Sequence, residues 1–273
     1  AADTAVVCPA EFRAALQPWV RLRTEQGHAI AFCDPHGSAE QVRERIRAAS
    51  TPGALKYVLL VGDTPPPDRS VSDQWRAAII DRTVATHYAP AKVNVLWDSE
   101  PEIATDHFYA DLDGDPLPDV AVGRLSADSA ADLAAMVRKI VAYEQQPNPG
   151  AWQRKLHFVA GASGAGRLAD AALESMVRSM LCRNIPAAYA TTMTYASWAS
   201  PYCPPPAYGR DCVAQRLSEG SLFWIYMGHG QRRYLDFLRV PQGLYPVFHA
   251  RETSLLHAIS GRPVAVMMAC YTG

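Results

Sequence analysis

No stretch of this 273-residue chain is apolar over the roughly 20 residues that a membrane-spanning helix needs. Neither charge is in excess: 26 Lys and Arg stand against 27 Asp and Glu, for a net charge of −1. Such a balance gives no footprint for nucleic acid or for an anionic membrane surface. Cysteine is sparse, with six residues, too few for a disulfide framework. Cys203 and Cys212 flank a Pro-rich loop and read equally as a bridge or as two free thiols, so the redox compartment stays open. The chain lacks an internal repeat, a low-complexity segment and an initiator Met. It opens on Ala1-Ala2-Asp3 with no signal peptide and reads as a mature or excised piece.

What is present is apolar matter in alternating blocks. Hydrophobic residues make up 49% of the chain, enough to bury a large core. Residues 4–8 form a short apolar strand, and Pro9 suits the first turn of a helix with Phe12, Leu16, Trp19 and Val20 at helical spacing. Gly27 stops that helix, and 29–33 is the next strand. Ser38 caps a helix whose apolar face is Val42 and Ile46, and 56–61 is a buried strand. This β-α-β-α-β run predicts a parallel sheet with crossover helices. A loop at Pro65-Pro66-Pro67 and a strand-like piece at 93–96 follow. Residues 129–146 form a long amphipathic helix, with Leu133, Met136, Val137, Ile140 and Tyr143 on one face. Pro147-Asn148-Pro149-Gly150 ends it and marks a domain boundary. A second α/β unit then runs through a strand at 155–160, a helix at 167–182, a strand at 185–191, a Pro-rich loop at 202–209 and a helix at 211–219. The Gly/Ala/Ser loop at 161–166 lacks the Lys-Ser/Thr and the G-x-G-x-x-G spacing of a phosphate cradle; it reads as a tight strand-to-helix turn.

The reactive residues lie in the last fifty-odd positions. One apolar run, Leu222-Phe223-Trp224-Ile225-Tyr226-Met227, enters Gly228-His229-Gly230. A second, Pro263-Val264-Ala265-Val266-Met267-Met268-Ala269, enters Cys270-Tyr271-Thr272-Gly273. Both read as strands buried on both faces of a parallel sheet, where sites form beyond the carboxyl ends of the strands. If the two strands are neighbours, about 4.8 Å apart, imidazole and thiol face each other across one gap. A thiol with an unperturbed pKa of about 8.5 needs a base to supply thiolate at neutral pH. The flanking glycines admit substrate backbone and leave N–H donors free for an oxyanion. Taken singly, a His after a strand reads as a polar cap and a buried Cys as a small hydrophobe. Their equivalent placement favours chemistry.

One further motif is strongly polar: Asp111, Asp113, Asp115 and Asp119 alternate around Gly114. Several carboxylates on a tight turn suit a hard cation such as calcium. The bidentate Glu of a helix-loop-helix site is missing, and an acidic turn held by side-chain-to-backbone hydrogen bonds is the plainer reading.

Leu217-Ser218-Glu219-Gly220, the strand into Gly228-His229-Gly230, and Ala269-Cys270-Tyr271-Thr272-Gly273 together resemble the catalytic blocks of the gingipain-type cysteine peptidases, a caspase-like group. The segment from Thr105-Asp106 to Gly123-Arg124 resembles the same family's T-D-x-x-Y-A-D-x-D-G-D-x-x-P-D-x-x-V-G-R pattern. That resemblance implies a caspase-like α/β fold: a mostly parallel sheet flanked by helices, in two side-by-side subdomains. Here they would be an N-terminal one over 1–147 and a catalytic one over 148–273. Relatives continue beyond the point where this chain stops, so the second subdomain is expected to be incomplete. It further implies a cysteine endopeptidase with Cys270 as nucleophile, His229 as general base, and the N–H groups of Gly230 and Cys270 as the oxyanion hole. Asp170 and Glu174, one helical turn apart, would bind an Arg or Lys side chain before the scissile bond. Residues 161–163 carry no acid where the family often places one to orient the histidine, so a Cys-His dyad is expected. The resemblance also implies a protein or peptide substrate, no cofactor required for catalysis, an architectural acidic turn with a structural calcium, and a secreted or cell-surface location. A sortase-like transpeptidase and an inactive peptide-binding scaffold are the alternatives.

Overall fold

The computed structural model describes residues 1–64, 72, 74, 79–91, 101–115, 117–145, 150–163, 166–198, 200–205, 208–231, 233–240, 243–257 and 261–270. The expected Pro65-Pro66-Pro67 loop, the strand-like piece at 93–96, Pro147-Asn148-Pro149, and Tyr271-Thr272-Gly273 lie outside the described residues. The chain divides into two compact units, Ala1–Gln145 and Gln146–Gly273. Each is an α/β unit built on a parallel sheet.

In the first unit β1 (Thr4–Val7), β2 (Ile30–Cys33), β3 (Tyr57–Val61) and β6 (Ala121–Leu125) form a four-stranded sheet in the order β2-β1-β3-β6. Every pair in it is parallel. Side chains alternate along β1: Ala5 and Val7 join one core cluster, and Val6 and Cys8 join another. The first cluster packs against α2 (Ala39–Ala48) through Val42 and Ile46. The second packs against α1 (Arg13–Glu25) and α3 (Ala130–Glu144), through Leu16, Trp19, Leu133 and Val137. Each fully buried aliphatic or aromatic side chain of this kind contributes about 1.5–3 kcal/mol. Ser38 and Gln41 close a reciprocal capping box at the start of α2, so the predicted cap is present. An antiparallel pair, β4 (His87–Pro90) with β5 (Glu102–Thr105), precedes the acidic turn.

The motif from Thr105 to Arg124 is tied together by one ion pair. Arg124 reaches both Asp106 oxygens, with Nε 2.7 Å from Oδ2 and Nη2 2.8 Å from Oδ1. Its remaining N–H groups donate to the carbonyls of Gly62, Val84 and Ala85. A planar guanidinium is the side chain that can serve a carboxylate and three carbonyls at once.

The second unit repeats the logic with β7 (Lys155–Ala160), β8 (Ala190–Tyr195), β9 (Phe223–Met227) and β12 (Val264–Met268), in the order β12-β9-β7-β8 and all parallel. Strand order reverses between β7 and β9, which makes the crevice at their carboxyl ends the switch point where α/β sheets place ligands. On one face Trp224, Tyr226 and Val159 pack with Val213 and Leu217 of α5 (Gly209–Ser218) and with a hairpin. That hairpin, β10 (Phe237–Val240) with β11 (Gly243–Pro246), is antiparallel. On the other face lies α4 (Arg167–Asn184), none of whose described residues is fully buried.

Two expectations need correcting. The strand expected at 185–191 begins five residues later, at Ala190, because Pro186 has no N–H for a ladder and instead accepts from Tyr189 in a turn. β12 was expected to be buried on both faces. Val264, Val266 and Met268 are exposed: among the described residues β9 is the one strand paired with β12, and α4 leaves that face open. Among the described residues no helix is long and apolar enough to cross a membrane.

Candidate active site

The β9–β12 ladder runs in register from Phe223 opposite Val264 to Met227 opposite Met268. One more bond extends it, from the Gly228 N–H to the Met268 carbonyl at 3.3 Å. His229 therefore stands two residues beyond β9 and Cys270 two residues beyond β12, at the same end of one sheet. The turn after β9 presses on the cysteine: a Cβ added to Gly230 would lie 2.0 Å from the Cys270 carbonyl oxygen. Only glycine permits that approach. Gly230 is buried, whereas His229 and Cys270 are both exposed, and Cys270 is a free thiol.

The peptide of His229 is held from below. The Tyr226 hydroxyl donates to the His229 carbonyl at 2.6 Å and accepts the Asp236 N–H at 3.1 Å. Burial pushes the Tyr226 hydroxyl up to about 12, so it stays a neutral donor at physiological pH. Beside it, Gly161 follows directly on β7 and donates its N–H to the Met227 carbonyl at 2.9 Å. A Cβ on Gly228 would lie 2.7 Å from the Tyr226 hydroxyl and 2.9 Å from the Gly161 nitrogen. The two glycines let β7 and β9 close to contact at the switch point.

Sequence reasoning passed over Asp236, which stands here with only 8% of its surface exposed. Its Oδ1 accepts the Phe237 N–H at 2.7 Å. Its Oδ2 is buried and has no hydrogen-bond partner among the described residues. The available signal was a lone carboxylate inside the apolar run Tyr234-Leu235-Asp236-Phe237-Leu238, which a surface turn does not need.

A cavity of about 330 Å³ opens beside His229 on the α4 face of the sheet. Phe158, Ile225, Met227 and Met268 line it from the strands, and Leu173, Val177 and Glu174 from the helix. Of the two carboxylates expected to bind substrate, only Glu174 is part of this lining. Asp170 is turned into the loop after β7. Its Oδ1 accepts from the Ser163 N–H (2.9 Å), the Ser163 hydroxyl (2.6 Å) and the Tyr195 hydroxyl (3.2 Å), and its Oδ2 from the Ser197 hydroxyl (3.0 Å). Burial works to raise the Asp170 pKa, but these donors outweigh it and hold the carboxyl below its ordinary range. The same burial, with the Asp170 charge adding to it, pushes Tyr195 up to about 12.

In the first unit, carboxylate oxygens of Asp111, Asp113 and Asp115 lie within 4.8 Å of one another. The turn is also knit by its own bonds. The Gly114 N–H donates to Asp111, the Asp115 N–H to Asp113, the Leu117 N–H to Asp115, and the Leu112 N–H to Asp119. Each of these carboxylates has a second oxygen, so three of the four expected ligands fit one hard cation, while Asp119 braces the backbone. All six cysteines are free, Cys203 and Cys212 included.

The pattern that defines peptidase family C25 matches residues 1–273. The chain belongs to peptidase family C25. Among C25 relatives, Lys-gingipain W83 of Porphyromonas gingivalis is 25% identical over 158 residues, which is 58% of this chain and 8% of that protein. Among solved structures, the crystal structure of the Arg specific cysteine proteinase gingipain R superposes with a TM-score of 0.66 at 17% identity, covering 100% of this chain and 55% of that one. The complex of Porphyromonas gingivalis RgpB pro- and mature domains gives a TM-score of 0.65 at 17% identity, covering 98% and 55%. This C25 chain thus spans about half the length of the solved gingipains it matches. At these identities the structural likeness establishes the fold, the caspase-like α/β architecture expected from the motifs.

Proposed function

We propose that this C25 chain carries the catalytic residues of a cysteine endopeptidase, with Cys270 as nucleophile and His229 as general base. The observation that carries the reading is the seating of the Cys270 carbonyl on Gly230 at the shared end of β9 and β12. In the proposed reaction the Cys270 thiol gives its proton to His229, and the thiolate sulfur bonds to the peptide carbonyl carbon. The carbonyl oxygen becomes an oxyanion, held by the N–H groups of Gly230 and Cys270. Collapse breaks the C–N bond as His229 hands its proton to the leaving amine. Water, deprotonated by His229, then splits the thioester and restores the thiol.

The substrate is a protein or peptide, with Arg or Lys before the scissile bond. Glu174 supports that preference as the carboxylate in the cavity beside His229, where it can pair with a basic head group while the apolar walls hold its stem. The four hydrogen bonds on Asp170 favour a supporting role for that residue, with Glu174 as the recognising acid. The reading places the protein outside the cytoplasm or at the cell surface, like the gingipains, and gives Asp111, Asp113 and Asp115 a structural calcium.

Cys270→Ala is the direct test of the nucleophile. Cleavage of a fluorogenic peptide should vanish while the melting temperature holds, because an exposed sulfur contributes little packing. Retained cleavage would move the nucleophile elsewhere. A product joined to an added amine instead of hydrolysed would make the enzyme a transpeptidase, and no turnover in the wild type would make it a scaffold.

A further inference from the structure

The switch point between β7 and β9 holds a buried carboxyl group that the reaction outlined above does not use. Asp236 comes from the segment between the His229 turn and β10, yet its side chain is delivered back across the sheet to Gly161. A Cβ built on Gly161 would meet Asp236 Oδ2 at 2.3 Å, Asp236 Cβ at 2.9 Å and its carboxyl carbon at 3.0 Å. The carboxylate of Asp236 thus fills the space that a side chain at residue 161 would take, at the end of the strand adjoining the His229 strand. Residues 161–163, Gly-Ala-Ser, bring no acid of their own. A buried carboxylate oxygen without a donor is costly, and a fold does not retain one in a core by chance of packing alone.

The link to His229 is short. Tyr226 binds the Asp236 N–H and the His229 carbonyl through one hydroxyl, and Gly228, the residue before His229, packs on that hydroxyl and on Gly161. Tyr226 from β9, Gly161 from the end of β7 and Val247 from beyond β11, whose N–H donates to the Asp236 carbonyl, pack around Asp236. Of these only Tyr226 titrates, and burial keeps it neutral. His229 is the next titratable group beyond the end of β9, and Tyr234 and His249 face each other one bridge further out.

We propose that Asp236 is the positioning residue of the site: its backbone N–H, tied through the Tyr226 hydroxyl to the His229 peptide, fixes the His229 turn, and its buried carboxylate, set against Gly161, favours the imidazolium that accompanies the Cys270 thiolate. The inference rests on the Cys270–His229 reading and adds a third member to the expected Cys-His dyad.

The test uses alkylation of Cys270 by iodoacetamide as a function of pH, alongside peptide cleavage. In the wild type alkylation should remain fast below pH 7, since a thiolate held by an imidazolium reacts there and a free thiol does not. Asp236→Asn keeps the shape and removes the charge. Alkylation at pH 6 should fall about tenfold or more, the change that one pH unit of displacement gives, while alkylation at pH 10 stays level. The kcat–pH profile should narrow from both sides, with KM within about twofold. A purely structural role would lower the melting temperature and scale activity equally at every pH. Should Asp236→Asn not fold, Gly161→Ala carries the test, because its methyl displaces the carboxylate and leaves it charged; the same loss at pH 6 is expected. A wild-type pH profile in either variant overturns the proposal. If the wild type itself alkylates as an ordinary thiol and Cys270→Ala still cleaves, the Cys270–His229 reading fails first, and that failure shows before any Asp236 variant is read.

Discussion

In Gly230→Ala the new Cβ would stand 2.0 Å from the Cys270 carbonyl oxygen, 3.1 Å from the Ala269 Cβ and 3.1 Å from the Cys270 carbonyl carbon. Carbon and carbonyl oxygen approach no closer than about 3.3 Å even in favourable contacts, so one strand end must retreat by about 1 Å. The obstacle is backbone, which cannot swing aside as a flexible side chain would. The ladder yields at its last bond, 3.3 Å from the Gly228 N–H to the Met268 carbonyl, and the His229 turn parts from Cys270. Overpacking of this size costs about 1–3 kcal/mol, a fall in melting temperature of roughly 3–10 °C for a chain this long. The catalytic loss should be larger in proportion, since a 1 Å misplacement can cost on the order of a hundredfold in rate. Steady-state cleavage of a fluorogenic peptide and a thermal melt, run side by side, separate the two effects. Gly123→Ala is the control, because an added Cβ there meets nothing within 4 Å; activity should be unchanged. If Gly230→Ala retains wild-type kcat/KM, the two strand ends do not meet as described.

Glu174→Gln should lower kcat/KM for Arg and Lys substrates by about tenfold to a hundredfold, relative to apolar ones. Asp170→Asn should instead cost about 1–3 kcal/mol of stability with little change in preference, and the opposite outcome in a positional peptide library would return the pocket to Asp170. His157 is buried in β7 with its pKa lowered, mainly by burial, so the unfolded state binds a proton more readily. Its contribution is therefore full above the ordinary histidine pKa and falls away as pH drops below about 6.5 toward the lowered folded value. Melts between pH 7 and 5 should show this slope flattened in His157→Gln, and an unaltered slope would assign it to other groups. Millimolar calcium should raise the melting temperature, and Asp113→Asn should remove the rise. An unshifted wild type would leave the turn to its own hydrogen bonds.

Much of the fold was legible because its strands and helices carry clean periods. The residues of β7 match the sequence reading end to end, and Ser38 marks its helix start by capping chemistry alone. The β10–β11 hairpin was missed since Phe237–Val240 carries an Arg and its partner begins at Gly243, too short a pair to stand out from loop. The exposure of β12 could not be read either, because an apolar run looks the same whether one flank is covered or both. At the site, the Gly-His-Gly and Cys270 segments announced themselves by residue type at strand ends. Asp236 did not, because what singles it out is the missing side chain at Gly161, contributed from seventy-odd positions away. Asp170 was legible as an acid early in a helix, yet the partners that occupy it, Ser163, Tyr195 and Ser197, come from separate elements.

The central claim is that Cys270 attacks a carbonyl carbon with His229 as its base. Incubation with a peptidyl electrophile carrying Arg or Lys at its reactive end, followed by peptide mapping by mass spectrometry, reads it in one measurement. The account predicts one stoichiometric adduct, on the peptide containing Cys270, lost in Cys270→Ala and slowed at least a hundredfold in His229→Ala. An adduct on Cys182, the other exposed free thiol, or labelling of Cys270 at the same rate without His229, would contradict it.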